Sequence, residues 1–570
     1  MNKNPFDFDG AKNLPPNLLL KWFIDDFNYA RFLKSTRNVL LKGHRGCGKS
    51  MTLLYYSLPL EIKKTESTNS TNLFDNIGIY ISCSTPLSRR VDHDYFENNK
   101  FSQAISEHYL VLAIAVAIAE HCEHFVPHLT SEDFETLSGE LYFVFDDDIP
   151  QDKSIFKSLK RILNKELRTT QEKFFLFEEQ SEFSFARTFY TLILPVLSAL
   201  RAIPLLESTH FSLMIDDAQD LNEDQRLLLN SWLSYRDHSV FSFKVALATL
   251  EDFDRRTATG GSIIEGHDFI AIDLEQPFQN ENSKFGQLAR SIIERRLLNV
   301  GITSTPDSFF KESAEFRKGL DECESQTRQD YLETNPDASQ KQIADHIYKQ
   351  ARALYYRSRS PKANRPVYSG LDTLIHLSSG VIRNLLLPCY WMYDDVLSNQ
   401  GDDETINEIP PAVQSDVIIR ESEKLWTRIR DGLDKEMDDC SREQASQISN
   451  LIEALGDYFR DRLLNHASEP RIVTFTISQV KTEPDPRLMA VLALMRKAQI
   501  LYRRLGSAKD EGRQEYYYTL NRLFWPARGL DPHGQHGRAS IKESDLCYAL
   551  ENGKLPKLTT TTVQRGLFDE

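Results

Sequence analysis

Gly43-His44-Arg45-Gly46-Cys47-Gly48-Lys49-Ser50 places glycines, a lysine and a hydroxyl at the spacing G-x-x-x-x-G-K-[ST]. These residue types at this spacing hold a polyphosphate. Glycines at 43, 46 and 48 let the backbone turn so that successive N–H groups face an anion, which side chains there would block. Lys49 would reach the β- and γ-phosphates, and the Ser50 hydroxyl would take one Mg²⁺ position. The nucleotide-binding set is therefore Gly43, His44, Arg45, Gly46, Cys47, Gly48, Lys49, Ser50 and Met51, with a polyphosphate and Mg²⁺ as the expected ligands.

The loop needs an acid to complete the metal site, and Phe211-Ser212-Leu213-Met214-Ile215-Asp216-Asp217 supplies two. A mostly apolar run ending in carboxylates predicts a buried parallel strand that presents them at its C-terminal edge, where α/β sheets bind ligands. Asp216 would hold Mg²⁺ through water and Asp217 would polarise the attacking water. Another strand, Phe241 to Thr249, ends in a hydroxyl that could touch the γ-phosphate or orient the water.

Several elements must position these groups. Asn38 to Lys42 forms the strand before the loop, and Met51 to Tyr56 the helix after it. Further strands are expected at Asn76 to Ser82 and Phe269 to Leu274, and a helical segment at 92–186 rich in Phe, Glu and Asp. At 570 residues, roughly three domains are expected. The 41% hydrophobic and 26% charged composition is globular, and the net charge of −15 argues against a broadly basic nucleic-acid coat.

Seven scattered cysteines without a C-x-x-C pair argue against a disulfide framework, and with no signal-like N-terminus the expected compartment is the cytoplasm. The apolar runs Tyr109 to Ala119 and Thr188 to Leu200 are too short to span a bilayer, so no membrane is expected. His121, Cys122, Glu123, His124 and His128 offer metal-ligand types but read as a helix terminus.

Together these elements resemble the AAA+ ATPases, within the P-loop ASCE division, and specifically the initiator-like group that includes origin recognition complex subunits. The resemblance rests on Gly43 to Ser50, Ile215 to Asp217, the strand ending at Thr249, and Ser379-Gly380-Val381-Ile382-Arg383-Asn384-Leu385-Leu386. It implies an α/β parallel-sheet core over 1–275, a helical lid over 276–400 and a C-terminal winged helix. Thr249 would be the sensor-1 residue and Arg383 the sensor-2 arginine reaching from the lid. It also implies a homo-oligomer, with an arginine finger from one subunit completing its neighbour's site. Arg255 and Arg256 are the best-placed candidates, with Arg295 and Arg296 behind them. Asp217 departs from the family, which usually has Glu there, and its shorter reach implies slow hydrolysis.

A linker is expected around Ser398 to Pro411, and beyond it helix, strand, helix and hairpin follow in the order of a winged helix over 412–545, with a tail at 546–570. Arg471 to Leu530 holds eleven Lys and Arg against five Asp and Glu, a local +6 in an acidic chain. Arg503, Arg504, Lys509 and Arg513 would face DNA phosphates, although winged helices serve protein contacts equally well. The sequence thus leads to a nucleotide-dependent oligomeric switch that regulates a separate effector, with prokaryotic defence as a setting. The alternative is an initiator-like ATPase that binds or loads onto DNA. A third reading is a scaffold that binds nucleotide without turnover.

Overall fold

Five apolar segments pair in parallel: β1 (Val39–Lys42), β2 (Asn76–Ser82), β3 (His210–Asp216), β4 (Phe241–Leu247) and β5 (Ile270–Asp273), in the order β2-β3-β4-β1-β5. β3 and β4 are buried along all seven of their residues, as central strands covered on both faces must be. β4 lies between the strand that feeds the glycine loop and the strand that ends in the acids, and the register aligns Lys42 with Leu247 and Ser82 with Asp216. The C-terminal ends of four strands therefore come level at one edge of the sheet. This computed structural model describes residues 4–7, 10–26, 28–65, 74–83, 99–175, 186–235, 239–248, 253–274, 283–358, 368–400, 406–437, 439–465, 472–478, 483–507, 514–533 and 537–556.

The chain divides into two units, Phe8–Glu275 and Met1–Asp7 with Gln276–Glu570. Within the first, three long helices, Asn99–Cys122, Ser131–Phe145 and Ile155–Phe175, and the shorter Leu194–Arg201 precede β3 among the described residues. The first of them packs on β2 and on helices Ile155–Phe175 and Glu223–Leu233. It is longer than the apolar run Tyr109 to Ala119 suggests, and Gln103–His128 is long and apolar enough to cross a membrane by length and composition. In this fold Tyr109, Leu110, Val111, Leu112, Ile114 and Ile118 are instead buried in the core beside the sheet. Cys122 closes the helix, and among the described residues no His, Cys and acid cluster is arranged to hold a metal. His121 is occupied otherwise, accepting the Tyr80 N–H at Nε2 (3.1 Å) and bonding the Ala117 carbonyl through Nδ1 (2.8 Å).

The second unit is helical from Lys284 to Asn465 apart from its connections, and Phe6 is buried in it among Phe309, Phe310 and Tyr393. Helix Arg442–Asn465 leads to β6 (Ile472–Ser478), helix Pro486–Lys497 and the hairpin of β7 (Leu501–Ser507) and β8 (Gln514–Leu520). β8 returns antiparallel to β6, and β9 (Gly537–Lys542) adds in parallel, giving the order β7-β8-β6-β9. Two expectations need correction. A boundary at 545 would cut helix Glu543–Asn552, which packs on helices Arg442–Asn465 and Pro486–Lys497 and so belongs to the same core rather than to a tail. Pro411, expected in the linker, opens helix Pro411–Arg430, consistent with the fixed φ of proline at a first helical turn.

Candidate nucleotide site

Gly43 leaves the end of β1 with its N–H donated to the Leu247 carbonyl (3.2 Å), which ties the loop to β4. Gly46 and Gly48 take positive φ of 90° and 104°, conformations that side chains resist, and Gly48 caps helix Lys49–Tyr55. A Cβ at Gly43 would meet the Cys47 sulfur at 2.6 Å, so the loop leaves no room for a side chain there. The buried Lys49 turns its ammonium onto the loop, donating to the carbonyls of Gly43 (2.5 Å) and His44 (3.0 Å). Arg45 is exposed and stands 3.5 Å from Asp220.

The acids lie at the end of β3, one strand beyond β4. Asp216 is fully buried, and its Oδ2 accepts the Tyr80 hydroxyl at 2.6 Å, while Oδ1 has no hydrogen-bond partner. Burial first, then the neighbouring Asp217 charge, raises the Asp216 carboxyl above the usual range against the opposing influence of Ser50, Tyr80 and Lys12. Asp217 has a left-handed backbone (φ 57°), uncommon for a non-glycine residue and found where strain serves a site. Its two oxygens are held separately, Oδ2 by the Lys12 ammonium at 2.9 Å and Oδ1 by the Gln219 amide at 3.2 Å. Burial works to raise its pKa, but the bond and charge of Lys12, then Gln219 and Lys49, hold it below the usual carboxylate range.

The donors fit a nucleotide and its cation. An ionisable oxygen, Asp216 Oδ1, is buried without a partner, and the Ser50 hydroxyl lies near enough to influence that carboxyl. Among the described residues the fold thus brings Gly43 to Met51 together with Asp216 and Asp217. Thr249 lies outside the described residues, as do Lys509 and Arg513. Arg383 is exposed in the first turn of helix Ile382–Gln400, just after Ser379 and Gly380 turn the chain at positive φ.

Of the finger candidates, Arg256 is exposed and paired with Asp254 (2.5 Å) and Glu223 (3.0 Å), and Arg255 faces Glu265. Arg295 is exposed, but Arg296 is excluded. It is buried in the second unit, where its guanidinium donates to the carbonyls of Pro5 (3.0 Å) and Asp7 (3.1 Å).

A family model described as ORC-CDC6-like matches residues 4–541. This chain belongs to the ORC-CDC6-like family. The parallel sheet and glycine loop are accordingly the core of an AAA+ ATPase of the origin recognition type. Two solved structures are similar over most of their length. The Aeropyrum pernix ORC1 protein in complex with DNA shares 11% identity, with 93% of this chain and 96% of that one covered and a TM-score of 0.30. The Aeropyrum pernix ORC2 protein (ADPNP-ADP complexes) shares 10%, with 97% of each chain covered and a TM-score of 0.32. No curated protein matches the chain.

Lys12, Tyr80 and Ser82 also reach the site, although no local motif marks them in the sequence. Lys12 donates to Ser82 Oγ at 2.7 Å as well as to Asp217, and stands 3.8 Å from Asp216. Tyr80 carries a weak sequence signal, since it sits on the strand whose register runs level with the acid strand.

Proposed function

We propose that this ORC-CDC6-like chain is a slow, ATP-gated ATPase of initiator type that contacts duplex DNA through its C-terminal hairpin. The observation that carries the nucleotide half is the meeting of the Lys49 loop with the buried, half-satisfied Asp216. Gly43 to Ser50 would cradle the phosphates, while Ser50 and Asp216 would hold Mg²⁺, which when bound neutralises the charge that develops on the γ-phosphoryl group. Slow turnover is supported by Asp217, an acid one methylene shorter than glutamate that would hold an attacking water less well.

The DNA half is supported by the family and by basic and aromatic residues on the two faces of the small sheet, which we take as the wing of a winged helix. Arg503 lies over the Tyr516 ring at 4.2 Å, and Arg538 lies over Tyr517 at 4.1 Å while donating to its hydroxyl. Arg504, exposed on the edge strand β7, pairs in register with Tyr517. Guanidinium groups held over rings are oriented for phosphates and need little further ordering. The family match favours this initiator reading over the effector regulator. A second copy of the chain would complete the ATP site, with Arg255 or Arg256 as the donated arginine.

The test is duplex binding across a salt series. The wild type should bind with a steep negative slope of log K against log salt, and Arg503→Glu with Arg504→Glu should flatten it by about two phosphate contacts. Unchanged binding in the double variant would overturn the DNA reading. Lys49→Ala should abolish ATP binding while leaving the DNA slope intact.

A further inference from the structure

Lys12 is 205 positions from Asp217, yet its ammonium lies within 2.9 Å of Asp217 Oδ2, 2.7 Å of Ser82 Oγ and 3.8 Å of Asp216 Oδ2. It is carried by the 3₁₀ turn Ala11–Asn13, which packs against the helix Lys49–Tyr55 that opens at the glycine loop. An ammonium there sits on the same carboxylates that a divalent cation between Ser50 and Asp216 would approach. An ammonium 3.8 Å from Asp216 Oδ2 repels a divalent cation that approaches the same carboxylate from its unpartnered Oδ1, and in a site with a fully buried carboxylate that repulsion is little screened.

We infer that Lys12 is a built-in competitor of the divalent cation, neutralising Asp216 and Asp217 from within the chain and being displaced when Mg·ATP enters. The inference rests on the ATP-site reading above and adds a residue that sets its metal requirement. It makes Lys12 a positioning residue: it orients the acids, then leaves them. Because the turn that bears Lys12 lies on the helix after the loop, cation entry would be felt in the N-terminal segment as well as in the site.

Two measurements on the full chain test this. The Lys12 side chain is 31% exposed, so an amine-acetylating reagent read out by mass spectrometry should modify it slowly, with the exposed Lys21 as an internal reference. Saturating Mg·ATP should raise Lys12 labelling several-fold at constant Lys21 labelling, whereas ATP with EDTA should not. Unchanged or decreased labelling with Mg·ATP would sink the idea, a decrease meaning that Lys12 grips the nucleotide instead.

The second measurement uses Mn²⁺ alone, followed by electron paramagnetic resonance. Lys12→Met should bind Mn²⁺ at least about tenfold more tightly than the wild type, and adding Asp216→Asn should erase the gain. Equal affinities, or no Mn²⁺ binding by Lys12→Met at millimolar concentration, would overturn the inference. Because this measurement uses no nucleotide, its failure is distinguishable from a failure of ATP to bind.

Discussion

The Tyr80 hydroxyl donates to Asp216 Oδ2 at 2.6 Å, across the pair of strands whose register places Ser82 beside Asp216. Burial, reinforced by the Asp216 charge, drives the Tyr80 phenol far above its ordinary pKa, so it stays a donor throughout the working pH range. A hydrogen bond to a buried charge contributes about 1.5–3 kcal/mol. Tyr80→Phe should therefore lose roughly that much stability in denaturant unfolding at neutral pH. It should also raise the Asp216 carboxyl further, so that Mg²⁺-dependent ATP binding needs a higher pH than in the wild type. A variant with unaltered pH dependence would show that Tyr80 is packing alone.

How much of this site the sequence discloses follows from how local each interaction is. The glycine loop is contiguous, and an apolar run ending in Asp-Asp reveals both its strand and its end, so Gly43 to Ser50, Asp216 and Asp217 are legible residue by residue. The place of β4 between β1 and β3 is implied by the AAA+ resemblance alone, because no residue of these strands marks its neighbours. Lys12 is different. It stands in Ala11-Lys12-Asn13, with no charge pattern around it, and acquires its role only when the turn packs on the loop helix. Arg296 misleads for the opposite reason. Its neighbour Arg295 is exposed, but one step along the helix turns Arg296 inward to the Pro5 and Asp7 carbonyls.

The glycine loop can be tested at two positions that fail for separate reasons. Gly48→Ala puts a side chain at φ 104°, at a cost of about 1–3 kcal/mol, and should weaken ATP binding more than tenfold in a fluorescent-nucleotide titration. Gly43→Ala has ordinary φ but drives its Cβ to 2.6 Å from the Cys47 sulfur. Combining it with Cys47→Ala should restore much of the lost affinity, whereas the same partner change should not rescue Gly48→Ala.

His108 and His121 are both buried neutral in the first unit. Burial, assisted by the Arg187 charge, lowers His108 to about 4, and burial with a smaller influence from His124 lowers His121 to about 4. Between the ordinary histidine pKa of 6.5 and these values, the unfolded chain binds protons that the folded chain does not. Stability therefore falls as pH drops through this window, each histidine contributing up to about 1.4 kcal/mol per pH unit. Denaturant unfolding at intervals from pH 6.5 to 5 should show this slope, and His108→Gln should flatten it. A slope of opposite sign would mean that these rings are charged in the fold.

In the second unit, Arg352 bonds Asp531 Oδ2 at 3.2 Å and His533 Nδ1 at 2.7 Å, with the Asp531 side chain only 1% exposed. The Asp531 and Glu312 charges, opposing burial, hold the guanidinium firmly protonated, while burial and the Arg352 charge keep His533 neutral. Removing one member of such a pair leaves the other charged where water cannot reach it, at a cost of about 3–5 kcal/mol. Arg352→Ala should therefore unfold this unit at markedly lower denaturant, with ATP binding by the first unit retained. Arg352→Met with Asp531→Leu removes both charges and should recover most of the loss. If the double variant is as unstable as the single, the pair itself rather than the stranded aspartate supplies the stability.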